Sequence, residues 1–122
     1  MPELPEVETT KTSLLPLLEQ RVQSIQVYNS SLRWPIPDDL NKLIGQRLMA
    51  LKRRSKYILA EFERDQMLWH LGMSGSFRLC EPNEELRKHD HLVIDFEDQQ
   101  LRYHDPRRFG CILWLDKNNQ EK

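Results

Sequence analysis

Apolar residues follow a helical spacing only near the start of the chain and fall into short runs afterwards. From Glu3 to about Leu18 they lie on roughly one helical face. Pro5 fits a first helical turn, whereas Pro16 is expected to kink or end the helix. We therefore predict an N-terminal helix that packs on a core and holds the start of the chain in place.

The rest of the chain is a series of short runs with strand-like composition, separated by polar turns. The predicted strands are 21–28, 47–53, 57–62, 67–71, 76–79, 92–96, 100–104 and 111–115. Polar turns at 63–66 and 97–99 indicate antiparallel hairpins, and a short helix is predicted over 38–44, ended by Gly45. The predicted fold class is mainly β with two helices. It is an antiparallel β-sandwich of two sheets, or a flattened barrel, with the N-terminal helix packed on it.

Length and charge limit the classes of function. The 122 residues are enough for one domain with a real core. Eighteen Lys and Arg against 19 Asp and Glu give a net charge of −1, which argues against nucleic-acid binding as a property of the whole chain. Basic residues nevertheless cluster at 52–56, 87–88 and 107–108, and one face can be positive while the sum is not.

The sequence offers little support for a metal site or for a membrane. Cys80 and Cys111 form no CxxC pair, so we expect free thiols in a reducing cytoplasm. His89 and His91 are spaced as two ligands on one face of a strand, but no third ligand is evident and no metal is predicted. Nothing in the sequence resembles a signal peptide, and no apolar run approaches the roughly 18 residues of a membrane span.

The first eight residues hold the most distinctive candidate chemistry. If Met1 is removed, Pro2 presents a secondary amine with Glu3 and Glu6 close behind it. Roughly a tenth of exposed α-amines are neutral at pH 7, against about one lysine in a thousand, so this amine could attack an aldehyde-like carbon and form a Schiff base. With Met1 retained, the Pro2 nitrogen is a tertiary amide and cannot react in this way. The alternative is an ordinary N-terminus with a Pro-rich helix start.

Three later segments add loops of the kind used on nucleic acids. Residues 53–57 are a basic turn, 70–76 place Met73 between glycines, and 105–110 place two arginines and Phe109 between proline and glycine. Each has a simpler explanation: a solvated basic face, a core methionine, or packing within a turn. Enzymes that extrude a base, however, need apolar wedges to fill the gap and basic residues to hold the bent backbone.

Taken together, residues 2–8, 53–57, 70–76 and 105–110 resemble the bacterial formamidopyrimidine-DNA glycosylases, which are also called 8-oxoguanine DNA glycosylases/AP lyases. The similarity runs through the whole chain in the family's order. The resemblance implies base-excision repair of oxidised purines (8-oxoguanine and formamidopyrimidines), followed by strand cleavage through β/δ-elimination. The implied partner is double-stranded DNA with an oxidised purine or an abasic site, in the bacterial cytoplasm and associated with the nucleoid.

The resemblance also implies residue roles. Pro2 would attack C1′, Glu3 would protonate the sugar ring oxygen, Glu6 would orient the site, and Lys56 would assist β-elimination and contact phosphate. Met73, Arg107 and Phe109 would fill the space that the extruded nucleotide leaves, and Arg107 would face the estranged cytosine. His70, His89 and Arg108 would contact the DNA backbone.

Domain organisation follows from the same resemblance. Residues 1–116 correspond to the family's N-terminal catalytic domain and 117–122 to a polar tail. The family's helix–two-turn–helix unit and zinc finger have no counterpart here, so no cofactor is expected in this chain and its activity alone should be weak or absent. The alternative is a non-catalytic fragment that binds DNA or self-associates, with homodimers formed through surfaces exposed by truncation. A poorer alternative is an unrelated β-domain.

Overall fold

The structure is a computed structural model that describes residues 4–29, 31–32, 36–72, 75–108 and 110–115. For residues 4–6 it describes the backbone alone.

The described part of the chain contains eight strands. They are β1 (Val22–Val27), β2 (Leu48–Arg54), β3 (Tyr57–Phe62), β4 (Gln66–His70), β5 (Ser76–Cys80), β6 (Asp90–Phe96), β7 (Gln100–His104) and β8 (Cys111–Leu115). One four-stranded sheet has the order β1-β6-β7-β5 and the other the order β2-β3-β4-β8, and every pairing is antiparallel. The predicted fold class, a mainly β chain with two antiparallel sheets and an N-terminal helix, is confirmed.

The helices are shorter than the sequence predicts. Helix α1 spans Leu4–Ser13, and the chain then tightens into a 3₁₀ turn over Leu15–Leu17. Pro16 lies in that turn, and because the residue before a proline is disfavoured in the α conformation, the helix ends before the proline is reached. The second predicted helix is a 3₁₀ turn, Leu40–Leu43, followed by Gly45 at φ 91°.

A single apolar core joins both sheets and the helix. Val7 of α1 is buried in the same cluster as residues of both sheets. At its centre three aromatic rings connect the sheets: Trp69 of β4 lies 4.8 Å from Phe77 of β5, which lies 4.9 Å from Tyr103 of β7. Such rings bury large apolar areas and favour tilted contacts. This packing fixes one sheet relative to the other.

Strand register places the interesting loops at one end of the sandwich. In one sheet His70 is opposite both Tyr57 and Cys111, and in the other His104 is opposite both Ser76 and Asp90. The turn 55–56, residues 71–72 and 75 between β4 and β5, residues 105–108 and 110 between β7 and β8, and the start of β6 therefore lie at the same end. We call this end, defined by those four segments, the motif end.

Candidate nucleic-acid interface

The motif end carries most of the basic residues that the sequence singles out. Lys56, Lys88, Arg107 and Arg108 are all exposed there. The turns at the opposite end, 63–65 and 97–99, contain four of the acidic residues instead: Glu63, Asp65, Glu97 and Asp98. Arg21 and Arg47 pair with Glu63 at that opposite end, at 3.6 and 3.5 Å, so it carries both signs of charge.

The turn that carries Lys56 is tied to the N-terminal helix. Arg53 donates from Nε to Glu8 Oε1 at 3.2 Å and from Nη1 to the Ser55 carbonyl at 3.2 Å. Lys11 pairs with the same Glu8 carboxylate at 2.8 Å, and its hydrogen bond, more than any other contact, lowers the pKa of Glu8. Exposed pairs of this kind contribute little to stability, and their effect is to align the turn with the helix.

His70 is the last residue of β4, and a hydrogen bond to its ring defines its tautomer. Its Nδ1 accepts the Gly72 amide at 3.0 Å, and its ring meets the Tyr57 ring edge-on at a centroid distance of 5.0 Å. Because Nδ1 is the acceptor, the neutral imidazole carries its proton on Nε2. The phosphate-contacting role that the resemblance implies for His70 stays a prediction.

His89 and Arg108 have unusual backbone conformations. Both are left-handed, at φ 73° and 58°, which non-glycine residues adopt only in a few per cent of cases. Each is held by Asp105: the Asp105 amide donates to the His89 carbonyl at 3.0 Å, and the Arg108 amide donates to Asp105 Oδ1 at 3.0 Å. Strained residues that their surroundings hold in place are common at binding sites.

The charge state of His89 follows from its surroundings. Burial lowers its pKa first, and the positive charges of Lys88, His104, His91 and Arg108 lower it further. In the absence of DNA the imidazole is therefore neutral at pH 7, although it lies in the most basic part of the molecule.

The prediction that His89 and His91 share one face of a strand is wrong. His89 precedes β6, whereas His91 lies within it and is buried, with Nε2 donating to the Asp105 carbonyl at 2.7 Å. The two rings are 6.2 Å apart. Within the described residues no three His, Cys, Asp or Glu side chains form a group that could hold a metal. Cys80 and Cys111 are both buried and free.

Sequence reasoning missed a buried ionic network behind the interface. Arg78 donates two hydrogen bonds to Asp90, at 2.9 and 2.7 Å, and His104 Nδ1 lies 3.0 Å from the same carboxylate. The Arg87 amide also donates to Asp90, at 2.8 Å. Burial raises the pKa of Asp90, but these hydrogen bonds outweigh it and leave the pKa well below its ordinary value. The carboxylate thereby secures the segment that leads into His89.

Several predicted site residues lie outside the described residues, namely Pro2, Glu3, Met73 and Phe109. Glu6 belongs to α1, but its side chain is not described. Their roles remain predictions. The predicted polar tail, 117–122, also lies outside the described residues. The segments 71–72, 75 and 105–108, which flank Met73 and Phe109, are at the motif end.

A family model and two known proteins match most or all of this chain. The family model "Formamidopyrimidine-DNA glycosylase N-terminal domain" matches residues 1–112. A formamidopyrimidine-DNA glycosylase of Acinetobacter baumannii (strain SDF) is 80% identical over 122 residues, which cover 100% of this chain and 44% of the relative. That of Methylococcus capsulatus is 52% identical over 117 residues, covering 93% of this chain and 43% of the relative.

Solved structures show the same fold. The Lactococcus lactis protein in complex with DNA that contains an abasic site superposes with a TM-score of 0.88 at 32% identity, covering 96% of this chain and 45% of that one. A complex of the same protein with DNA and an inhibitor also gives 0.88, at 33% identity. This chain spans less than half the length of these relatives. No helix in its described part is long and apolar enough to cross a membrane. On the family match and the shared fold, the chain belongs to the formamidopyrimidine-DNA glycosylase family.

Proposed function

We propose that this domain supplies the N-terminal catalytic part of a base-excision repair enzyme, a bifunctional glycosylase/AP lyase that acts on oxidised purines in double-stranded DNA. One observation carries the proposal: the Lys56 turn, the His70 loop and the 105–110 loop converge at one end of the sandwich. Helix α1, which follows Pro2 and Glu3, is tied to the first of them through Arg53 and Glu8. Family membership and the DNA bound to the Lactococcus lactis relative support the same conclusion.

The chemistry assigned to the N-terminus is covalent. The Pro2 amine attacks C1′ of the damaged nucleotide, a new N–C1′ bond replaces the glycosidic bond, and the base leaves with a proton. Glu3 protonates the ring oxygen as the sugar opens to an iminium. The iminium acidifies the C2′ proton, whose removal, assisted by Lys56, expels the 3′-phosphate by β-elimination. A second elimination expels the 5′-phosphate, and water then releases Pro2.

The motif end holds the duplex during this reaction. His70, His89 and Arg108 bind backbone phosphates, which positions the strand without reading its sequence. Met73, Arg107 and Phe109 fill the space that the extruded nucleotide leaves, and Arg107 faces the unpaired cytosine.

Borohydride trapping of the 122-residue chain tests the proposal. We expect covalent complexes with duplexes that contain 8-oxoguanine opposite cytosine or an abasic site, and none with undamaged duplex. Yields should be low, because half or more of the relatives' length is not in this chain. Intact mass must first show that Met1 is absent. Binding to abasic duplex without trapping would instead favour a non-catalytic DNA-binding fragment, and self-association without DNA binding would contradict both.

The affinity for abasic duplex should rise as the pH falls from 7.5 to 5.5, partly through His89. Its pKa is lowered in the free protein, and a bound phosphate favours the charged imidazole, so DNA binding takes up a proton. Each unit of difference between bound and free pKa contributes up to about tenfold in Kd. Titrations at fixed salt should show a shallower pH dependence for His89→Gln than for the unsubstituted chain.

Lys88→Gln is the matched control for this measurement. It removes an adjacent exposed positive charge, so binding should weaken at every pH. An equal pH slope in His89→Gln and the unsubstituted chain would show that His89 does not contact phosphate.

A further inference from the structure

The loops at the motif end meet on one buried carboxylate, that of Asp105. Its Oδ2 accepts the Tyr103 hydroxyl at 2.6 Å and the Gly110 amide at 2.9 Å, while Oδ1 accepts the Arg108 amide at 3.0 Å. Asp105 and Tyr103 are both completely buried. Hydrogen bonds to a buried carboxylate are stronger than neutral ones, so this group fixes both ends of the 105–110 loop.

The backbone of Asp105 secures the segment before β6. Its amide donates to the His89 carbonyl at 3.0 Å, and its carbonyl accepts from His91 Nε2 at 2.7 Å. Because a carbonyl can only accept, the proton of His91 is on Nε2. One residue thus joins the loop that carries Arg107 to the segment that carries His89.

The hydroxyl of Tyr103 brings in the loop after β4. A Cβ added at Gly75 would lie 2.7 Å from that hydroxyl, and one added at Gly110 would overlap it and lie 2.6 Å from the His70 carbonyl. Both positions therefore require glycine for close packing. The two loops approach each other across this hydroxyl, and the Gly75 amide closes its own loop on the Leu71 carbonyl at 2.8 Å.

The hydroxyl remains a donor throughout the biological pH range. Burial raises the pKa of Tyr103 first, and the hydrogen bond and negative charge of Asp105 raise it further. The contact is therefore a permanent O–H···carboxylate hydrogen bond.

We propose that Tyr103 and Asp105 are positioning residues that hold three segments in fixed relation: residues 71–72 and 75 after β4, the His89 segment, and residues 105–108 and 110 after β7. The proposal rests on the proposed function in one respect, namely that these segments enter a damaged duplex together. Its structural part, the coupling of segments far apart in sequence, stands independently.

Amide hydrogen exchange of the full 122-residue chain tests the coupling. Tyr103→Phe keeps the ring and removes the hydroxyl. We expect exchange to accelerate by about tenfold at Gly75, Arg108 and Gly110, the equivalent of one charge-assisted hydrogen bond. Amides of β3 should keep their rates. Acceleration confined to 105–110, or spread uniformly over all strands, would overturn the coupling.

Gln46 provides a matched control at the opposite end. It is completely buried, accepts the Arg64 amide at 2.8 Å and donates to Asp65 Oδ2 at 2.7 Å. Gln46→Met removes a buried polar group of similar size and should accelerate exchange near 64–65, with the motif end unchanged. If Tyr103→Phe does not fold, Asp105→Asn serves as the second variant. It keeps the shape but weakens the acceptor, and the same three amides should respond.

Trapping on two substrates tests the functional part. An abasic site in duplex DNA requires insertion of the loops, whereas an abasic site in a single strand already exposes its aldehyde. We expect Tyr103→Phe to reduce trapping about tenfold on the duplex and less than about twofold on the single strand. Gln46→Met should affect both equally. Equal losses in Tyr103→Phe would overturn the positioning role. If the unsubstituted chain traps neither substrate, the proposed function fails, while hydrogen exchange still supports or overturns the coupling.

Discussion

The protein that retains Met1 should form no borohydride-trapped complex with abasic duplex through Pro2. The protein with a free Pro2 amine should form one. A methionyl bond converts the Pro2 nitrogen into a tertiary amide without a basic lone pair, so no imine can form. Residual trapping through a lysine is expected at about a hundredth of the free α-amine's level or less, because about one lysine in a thousand is neutral at pH 7, against roughly a tenth of α-amines. The two forms can be separated by mass and compared at the same concentration and salt.

Pro2→Gly, with its initiator methionine removed, is the matched control. It keeps a terminal amine that titrates near ~7.7–8.0 but loses the pyrrolidine ring. We expect it to retain trapping within about tenfold, because nucleophilicity depends on the free amine rather than on the ring. Equal trapping by the Met1-retaining and Met1-free chains would assign the reaction to a lysine, with Lys56 as the first to substitute.

The hydrophobic pattern predicted the sheets well because their strands are short and half-buried. Three predicted strands, 57–62, 100–104 and 111–115, coincide with β3, β7 and β8. The pattern failed where buried residues are polar. Strand β6 begins at Asp90 rather than at 92, because Asp90 and His91 look like loop residues until Arg78 and the Asp105 carbonyl are supplied from elsewhere. The helices are shorter than predicted: α1 ends at Ser13, just ahead of the Pro16 that was expected to kink or end it, and the second is a 3₁₀ turn.

The candidate site shows the same difference between exposed residues, which the sequence predicted, and buried polar residues, which it did not. Exposed basic residues, such as Lys56 and Arg108, could be identified from motifs, because charged side chains in polar turns stay in contact with solvent. The residues behind them could not, since the function of a buried carboxylate depends on partners from other strands. One signal was available: an aspartate directly before a Pro-Arg-Arg turn typically accepts hydrogen bonds from the amides that follow, as Asp105 does.

Replacing Asp90 with asparagine should produce the largest loss of stability of any single charge change in the described residues. Its carboxylate is fully buried and pairs with Arg78 at 2.7 Å, while the Arg78 side chain is 21% exposed. Removing one partner of a buried pair leaves an uncompensated charge, and we expect the free energy of unfolding to fall by about 3 kcal/mol. Urea unfolding at pH 7 measures this directly. Asp98→Asn, an exposed change at the opposite end, should stay within about 0.5 kcal/mol.

The pH dependence of the same experiment separates the charge of Asp90 from its packing. Because the pKa of Asp90 is lowered in the folded state, its contribution is complete above the ordinary value of 3.8 and is lost as the pH falls towards the folded pKa. The unsubstituted chain should therefore lose stability below about pH 4, and Asp90→Asn should lose less over the same interval. Parallel curves for the two chains would show that the carboxylate is not ionised in the fold. The link between Arg78, His104 and the segment before β6 would then rest on neutral hydrogen bonds, which are weaker than charge-assisted ones.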